Sequence, residues 1–169
     1  MSVSIRRAGT ADADFLHALV THEHVAPFLA ASRASSRAEL LAEIARSDAE
    51  PDAFGVFVIE VDGVPAGTMS FERANRRSRI ASLSGLALDP QVRGRGVGDE
   101  ASRLFQRHLM HDLGYHRLQL EVYAFNERGL AHAERAGFTR EGVRRKAYWR
   151  DGGWVDGVLF GLVEEDTGD

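Results

Sequence analysis

The sequence predicts a single α/β domain, an α+β arrangement in which helices flank one mixed sheet. Three observations carry that expectation. Strand-like and helix-like runs follow each other as β-α-α-β-β-β-α-β-α-β-β over 169 residues, a length that suits one domain, residues 1–169, with a sizeable core. Hairpin signals such as Asp62-Gly63 occur beside strand–helix units, so antiparallel and parallel pairings should share a sheet. A glycine-rich stretch, Arg93-Gly94-Arg95-Gly96-Val97-Gly98, joins an apolar run to an amphipathic helical pattern.

The elements can be justified in order. Residues 2–8 form a short strand closed by Gly9, and Thr10 is placed to cap a helix over 12–20 whose Phe15, Leu16 and Leu19 share a face. Residues 21–35 read as irregular around Pro27 and hold His22-Glu23-His24. Ser36 and Glu39 make a capping box that opens a second helix, with Leu40, Leu41 and Ile44 inward. Strands 54–61 and 64–71 turn at Asp62-Gly63, a polar loop spans 73–79, and the apolar strand 80–88 stops at Asp89-Pro90. The helix after the glycines runs from 97 to about 113, burying Val97, Ala101, Leu104, Phe105 and Leu109, and Gly114 ends it. His108 falls on that apolar face as a packed histidine. Strand 116–123 follows, then a short helix capped by Asn126 and ended by Gly137. Residues 138–149 and 154–163 close as a hairpin about Asp151-Gly152-Gly153, and 164–169 is an acidic tail.

Composition excludes several classes. A net charge of −4 argues against a general nucleic-acid binder, whose affinity rests on neutralising phosphates. The chain has no cysteine, so disulfides, thiolate nucleophiles and cysteine-ligated metals are out. No apolar run reaches the roughly 20 residues of a membrane helix, and the N-terminus lacks the apolar core of a secretion signal. The expectation is a cytoplasmic protein with no membrane partner.

Glycines between a strand and a helix let backbone N–H groups approach a ligand closely, and the helix start adds unpaired donors and partial positive charge. Such a loop suits a phosphate or pyrophosphate. It is not a P-loop, because Asp99 stands where Lys-Ser/Thr would follow the glycines. It is not a dinucleotide fingerprint either, since it lies past the middle of the chain with glycines at 94, 96 and 98.

The loop fits Arg/Gln-x-x-Gly-x-Gly/Ala and resembles the acetyl-coenzyme A loop of the GCN5-related N-acetyltransferases, the GNAT superfamily. Leu120-Glu121-Val122, Asn126 and Glu134-Arg135-Ala136-Gly137-Phe138 are similar to further motifs of that family. Asp99-Glu100-Ala101 and Glu141-Gly142-Val143-Arg144 with Asp156 look most like the branch of ribosomal-protein N-terminal acetyltransferases. The resemblance implies a mostly antiparallel sheet splayed at the coenzyme site, with the last strand parting from its neighbour. It implies acetyl-CoA as co-substrate and no metal. By it, the amides of Arg93, Gly94, Arg95, Gly96, Val97 and Gly98 hold the pyrophosphate. Leu86, Ala87 and Leu88 pair with the pantetheine arm, and Asn126 contacts it while also capping its helix.

The reaction so implied is attack of a neutral amine on the thioester, which needs a base for the amine, a donor for the oxyanion and an acid for the thiolate. Glu121 matches the position of the base in some members, with a surface ion pair as the alternative, and Glu72 is a second candidate. The usual acid is a tyrosine at the position held here by Ala133, so Tyr148, Tyr123 or solvent must serve. Gly129 departs from the usual Ser or Ala. His22-Glu23-His24 lacks a third metal ligand and reads as surface, or as lining for the acceptor. The Arg76-Arg77-Arg79 and Arg144-Arg145-Lys146 clusters read as solvated faces or as attractors of an acidic acceptor or of the coenzyme 3′-phosphate. The acceptor is a protein or peptide N-terminal α-amine, or a small-molecule amine such as a metabolite or antibiotic. A catalytically silent acyl-CoA-binding module is the alternative outside catalysis, and the resemblance leaves monomer and homodimer open.

Overall fold

A computed structural model describes residues 1–30 and 33–167; Ala31 and Ser32 of the expected irregular segment, and the last two residues of the expected tail, lie outside the described residues. The order of elements is β1 (Val3–Arg7), α1 (Ala13–Val20), α2 (Arg37–Ala49), β2 (Phe54–Val61), β3 (Val64–Asn75), β4 (Ile80–Leu88), α3 (Val97–Arg107), β5 (Arg117–Tyr123), α4 (Glu127–Arg135), β6 (Thr139–Arg150) and β7 (Gly153–Val163). The seven strands form one sheet in the order β1-β2-β3-β4-β5-β7-β6. Among the described residues only β4 and β5 run parallel, so the sheet is mixed and mostly antiparallel, as expected.

Almost every residue of β2 is buried, because the sheet is covered on both faces and each phase of the strand meets a core. Phe57 and Ile59 pack with Phe105 and Leu109 of the α3 segment, whereas Val56 and Val58 pack with Leu16 of α1 and Leu40 and Ile44 of α2. Asp62 and Gly63, and likewise Asp151 and Gly152, take positive φ at the two hairpin tips, the geometry that matches strand twist in two-residue turns. Ser36 and Glu39 form the capping box, with Ser36 Oγ accepting from the Glu39 amide at 3.1 Å.

Four details differ from the sequence expectation. Thr10 makes no capping bond; Asp12 does that work, accepting from the Gly9 amide at 2.7 Å while Arg6 holds its carboxylate. β3 runs on to Asn75, since the edge of its hairpin with β4 extends past the covered core and needs no apolar side chains there. The regular turn of α3 ends at Arg107 and widens over His108–Asp112, where the Leu113 amide reaches back to the His108 carbonyl. His108 itself packs against Phe57 and bonds to Asp112 at 2.9 Å. Last, β7 does not part from β5, with which it pairs from Arg117 to Tyr123; the strands that part are β4 and β5.

Candidate active site

β4 and β5 touch over only three residue pairs, Ile80 to Ser82 against Arg117 to Gln119. A side-chain bond from Gln119 Nε2 to Ser82 Oγ, 3.1 Å, closes the crotch of the fork. Beyond it β4 continues to Leu88 and β5 to Tyr123 with backbone facing an open split, and such groups call for a partner. A bulge accompanies the split. Thr68 and Ser70 of β3 stand opposite Ala87 and Ser84, so β4 carries one extra residue, with Gly85 at φ +66°.

The split opens into a cleft of about 570 Å³. Leu86, Ala87 and Leu88 line one side, Glu121, Val122 and Asn126 the other, and Gly94, Gly96, Val97 and Gly98 the end. Gly94 and Gly96 have φ of +76°, and a side chain there would point into open space; the conformation, not crowding, demands glycine. Glu100 is the first residue of this turn whose amide finds a helical partner, the Gly96 carbonyl at 3.1 Å, so the amides before it face the cleft end as donors.

Arg93 lines the cleft and also donates to the His24 carbonyl at 2.9 Å, tying the loop to the segment after α1. Burial and the nearby charge of Arg128 both work against its own charge. Three arginines line the cleft; Arg135 is tied to Asp99, and Arg93 and Arg128 suit the double negative charge of a pyrophosphate. Sequence reasoning missed Arg128, whose partner in space lies 35 positions away. Arg95 is exposed and does not line the cleft.

Asn126 caps α4, accepting from the Gly129 amide at 2.9 Å. A side chain at 129 would meet Asn126 Nδ2 at 2.5 Å and Val122 at 2.9 Å. Gly129 therefore leaves room for the folded-over cap that presents Asn126 to the cleft.

Asp99, which follows the loop, is turned aside. Arg135 reaches it at 3.1 Å and His132 Nδ1 at 2.9 Å. Burial raises its pKa, but these two bonds and charges prevail and hold it below the ordinary carboxylate range. The other nitrogen of His132 meets Ser102 Oγ at 2.8 Å. Burial lowers the His132 pKa despite the pull of Asp99, so the ring is neutral at pH 7, with its proton on Nδ1 facing the carboxylate and Nε2 accepting from Ser102. The sequence carried no motif for this cluster.

Glu121 and Tyr148 meet at the lip of the split, where the phenol donates to Glu121 Oε1. Their contact depends on two irregular features. β6 advances four positions, from Arg144 to Tyr148, while β7 advances two, from Gly157 to Val155, and Asp156 pins the bulge by accepting from the Lys146 amide at 2.7 Å. Gly157 of β7 supplies the space, since a Cβ there would lie 2.1 Å from Glu121 Oε2. Burial and then the Glu121 hydrogen bond push the Tyr148 pKa up, so the phenol keeps its proton. Arg144 Nε stands 3.8 Å from Glu121 Oε2. Tyr123 packs edge-on against Tyr148 and lies beneath Arg150, whose guanidinium donates to the carbonyls of Leu29 and Pro27. The segment after α1 and the closing hairpin thus build one mouth.

Other sequence candidates lie apart. Glu72 is held by Arg46 at 3.1 Å. His22 and His24 are bonded to each other at the surface, and among the described residues no group of three or more His, Asp or Glu side chains could hold a metal ion. Among the same residues no helix is long and apolar enough to cross a membrane. Ala133 is buried in the core and offers no proton.

Comparison with known proteins agrees with this geometry. Residues 3–139 match the family model of the acetyltransferase (GNAT) domain. A probable N-acetyltransferase of Bacillus subtilis, YjcK, is 31% identical over 113 residues, which is 67% of this chain and 62% of that protein. The chain thus spans about two thirds, 66% and 62%, of the curated relatives it matches. Two solved structures share the fold. Spermidine N-acetyltransferase from Vibrio cholerae in complex with CoA and spermine superposes with a TM-score of 0.86 at 19% identity, covering 99% of this chain and 98% of that one. The RimL ribosomal L7/L12 α-N-protein acetyltransferase in complex with coenzyme A gives 0.85 at 19%, covering 96% and 94%. With a forked mixed sheet, an open glycine loop at the fork and a family match over most of its length, this chain belongs to the GNAT acetyltransferase family.

Proposed function

We propose that the protein transfers an acetyl group from acetyl-CoA to a primary amine by direct attack, and that the acceptor is an N-terminal α-amine of a peptide or protein. The observation that carries the chemistry is the Glu121–Tyr148 pair at the lip of the β4/β5 split, in which Glu121 lines the cleft that ends in the glycine loop and Tyr148 donates to it from β6. Donor amides at residues 94–98, with Arg93 and Arg128, fit the pyrophosphate. The unpaired β4 backbone through Leu86–Leu88 fits the pantetheine amides, and Asn126 faces the same arm.

The acceptor amine attacks the thioester carbonyl carbon. A C–N bond forms, the C–S bond breaks, and a backbone N–H of β4 near Leu88 stabilises the oxyanion. Glu121 takes the proton that the amine loses. Tyr148, kept protonated by its surroundings, holds Glu121 in place and supplies a proton toward the departing thiolate, which Glu121 then restores. The role expected at position 133, on α4, thereby moves to a side chain of β6.

The test is thiol release on mixing with acetyl-CoA and a panel of amines and peptides. Turnover on peptide α-amines supports the reading, and turnover confined to small amines favours the metabolite alternative. Tight coenzyme binding without turnover on any acceptor would make the protein a silent acyl-CoA binder, and absence of coenzyme binding would overturn both.

A further inference from the structure

Arg33 lies beside the bulge of β4. Its guanidinium occupies the space a side chain at Gly85 would take, with Nη1 only 1.7 Å from where that Cβ would stand. The residue as a whole is half-buried, but its Nε and Nη2 are shut off from solvent and find no hydrogen-bond partner among the described residues. The negative charge that acts on it is that of Glu43, and among the described residues no ion pair joins the two. Burial works against the charge, yet an arginine does not shed its proton to escape. A buried donor left unmade is costly, and two on one charged group more so.

The two unmade donors are not a random pair. Nε and Nη2 share one edge of the guanidinium, the edge that meets both oxygens of a carboxylate side by side. Arg135 uses that same edge on Asp99, at 3.1 Å from Nε and 3.4 Å from Nη2. Arg33 also walls a small cavity of about 160 Å³ with Val20, Leu29, Ala30 and Arg150. Leu29 and Ala30 belong equally to the wall of the coenzyme cleft, so the cavity adjoins the place where acceptor and thioester would meet.

We infer that Arg33, which shares the wall of this cavity with Arg150, forms a subsite for a carboxylate carried by the acceptor amine. The inference rests on the amine-acetyltransferase reading and narrows its substrate class. A polycationic amine is disfavoured at this subsite, because it would bring positive charge onto a buried guanidinium that has no close ion pair among the described residues. The carboxylate belongs either to a free amino acid or to an acidic side chain near a peptide N-terminus.

The experiment compares acceptors that differ only in carboxylate against carboxamide. Alanine and alaninamide make one arm, Ala-Asp-Ala-amide and Ala-Asn-Ala-amide the other, and spermidine is the cationic control. Rates are compared per neutral amine. The carboxylate member of at least one arm should have kcat/KM about tenfold or more above its partner, and the arm that shows it identifies the source. R33Q should abolish that preference through KM while coenzyme affinity stays unchanged, and R33K should restore part of it. Equal use of both members in both arms would overturn the inference, as would spermidine being the best acceptor. So would an R33Q defect that falls equally on both members of a pair, which marks a structural role.

If no amine is turned over, the proposed reaction fails. The subsite is then read by calorimetric titration of the N-acetylated peptide pair onto the wild-type protein with coenzyme A bound. Tighter binding of the aspartyl peptide supports the subsite, and equal binding refutes it.

Discussion

Replacing Glu121 by Gln isolates proton removal from everything else the side chain does. Glutamine has the same shape, keeps an oxygen to accept from Tyr148, and still fits over Gly157. It cannot take a proton. A positioned general base contributes about 10²- to 10⁴-fold, which is roughly 2.7 to 5.4 kcal/mol at 1.36 kcal/mol per decade. The change also removes the ion pair with Arg144, but that pair is 3.8 Å long and Arg144 is 60% exposed. An exposed pair of this kind contributes at most about 1 kcal/mol, or about fivefold in rate. The two readings of Glu121 therefore separate cleanly: a hundredfold loss requires the base, and a loss of fivefold or less is a surface ion pair. The assay is thiol release under kcat/KM conditions from pH 6 to 10, with coenzyme affinity measured separately. E121Q should lose at least a hundredfold at neutral pH, recover part of it as pH rises and the acceptor deprotonates in solution, and bind coenzyme normally. Activity within fivefold of wild type across that range would remove Glu121 from the mechanism.

Other changes probe the walls of the same site. G157A places a Cβ 2.1 Å from Glu121 Oε2, so it should cost activity as E121Q does while coenzyme affinity stays unchanged. Y148F leaves the carboxylate without its hydrogen bond, and combined with E121Q it should cost far less than the product of the two single losses, because contacting groups act as a unit. G129A drives a methyl to 2.5 Å from the Asn126 amide; losing that cap should lower stability by about 1 kcal/mol in a thermal or urea melt and weaken coenzyme binding at the same time. For His132 the folded pKa lies below the ordinary 6.5, so the unfolded chain binds the proton more readily. Stability should then be whole above about pH 6.5 and fall as pH drops from there toward the lowered folded value; an H132Q protein melted alongside wild type should lack that part of the slope, and equal slopes would refute the assignment.

What was legible in the sequence was what is decided locally. Asp62-Gly63 and Asp151-Gly152 specify their turns by backbone conformation, Ser36 and Glu39 satisfy each other within one turn, and the loop at 93–98 reads the same in isolation as in place. What was hidden depends on register between distant strands. Glu121 and Tyr148 are 27 positions apart and meet only because β6 bulges between Arg144 and Tyr148 while β7 offers a glycine beneath them. The fork was assigned to the wrong strands for the same reason, since nothing local in β5 or β7 says where pairing stops. Arg33 was invisible because a single arginine in an irregular segment has no period, and only the fold brings it against Gly85.

Asp99 rules out a P-loop, and its surroundings explain why a carboxylate at this position is compatible with an anion at the loop. A carboxylate in the first turn of a helix is favourable toward the helix dipole, so left alone it would occupy the same positive end that a pyrophosphate needs. Arg135 and His132, both from α4, hold the carboxylate on the α4 side of α3 and offset its charge. The offset comes mainly from Arg135, because burial keeps His132 neutral. The neutral ring matters in turn for the cleft, since its Cε1 lies 3.6 Å from where a side chain at Gly98 would begin. It can sit that close to the loop without adding a proton that titrates through the physiological range. Asp99 thus stays at the helix start as a clamp between α3 and α4, and its carboxylate is kept off the amides of residues 94–98. The same clamp fixes the distance between the two walls of the split, one carried by β4 and α3, the other by β5 and α4. The residue that rules out a P-loop is in this geometry one of the groups that join α3 to α4 beside the cleft.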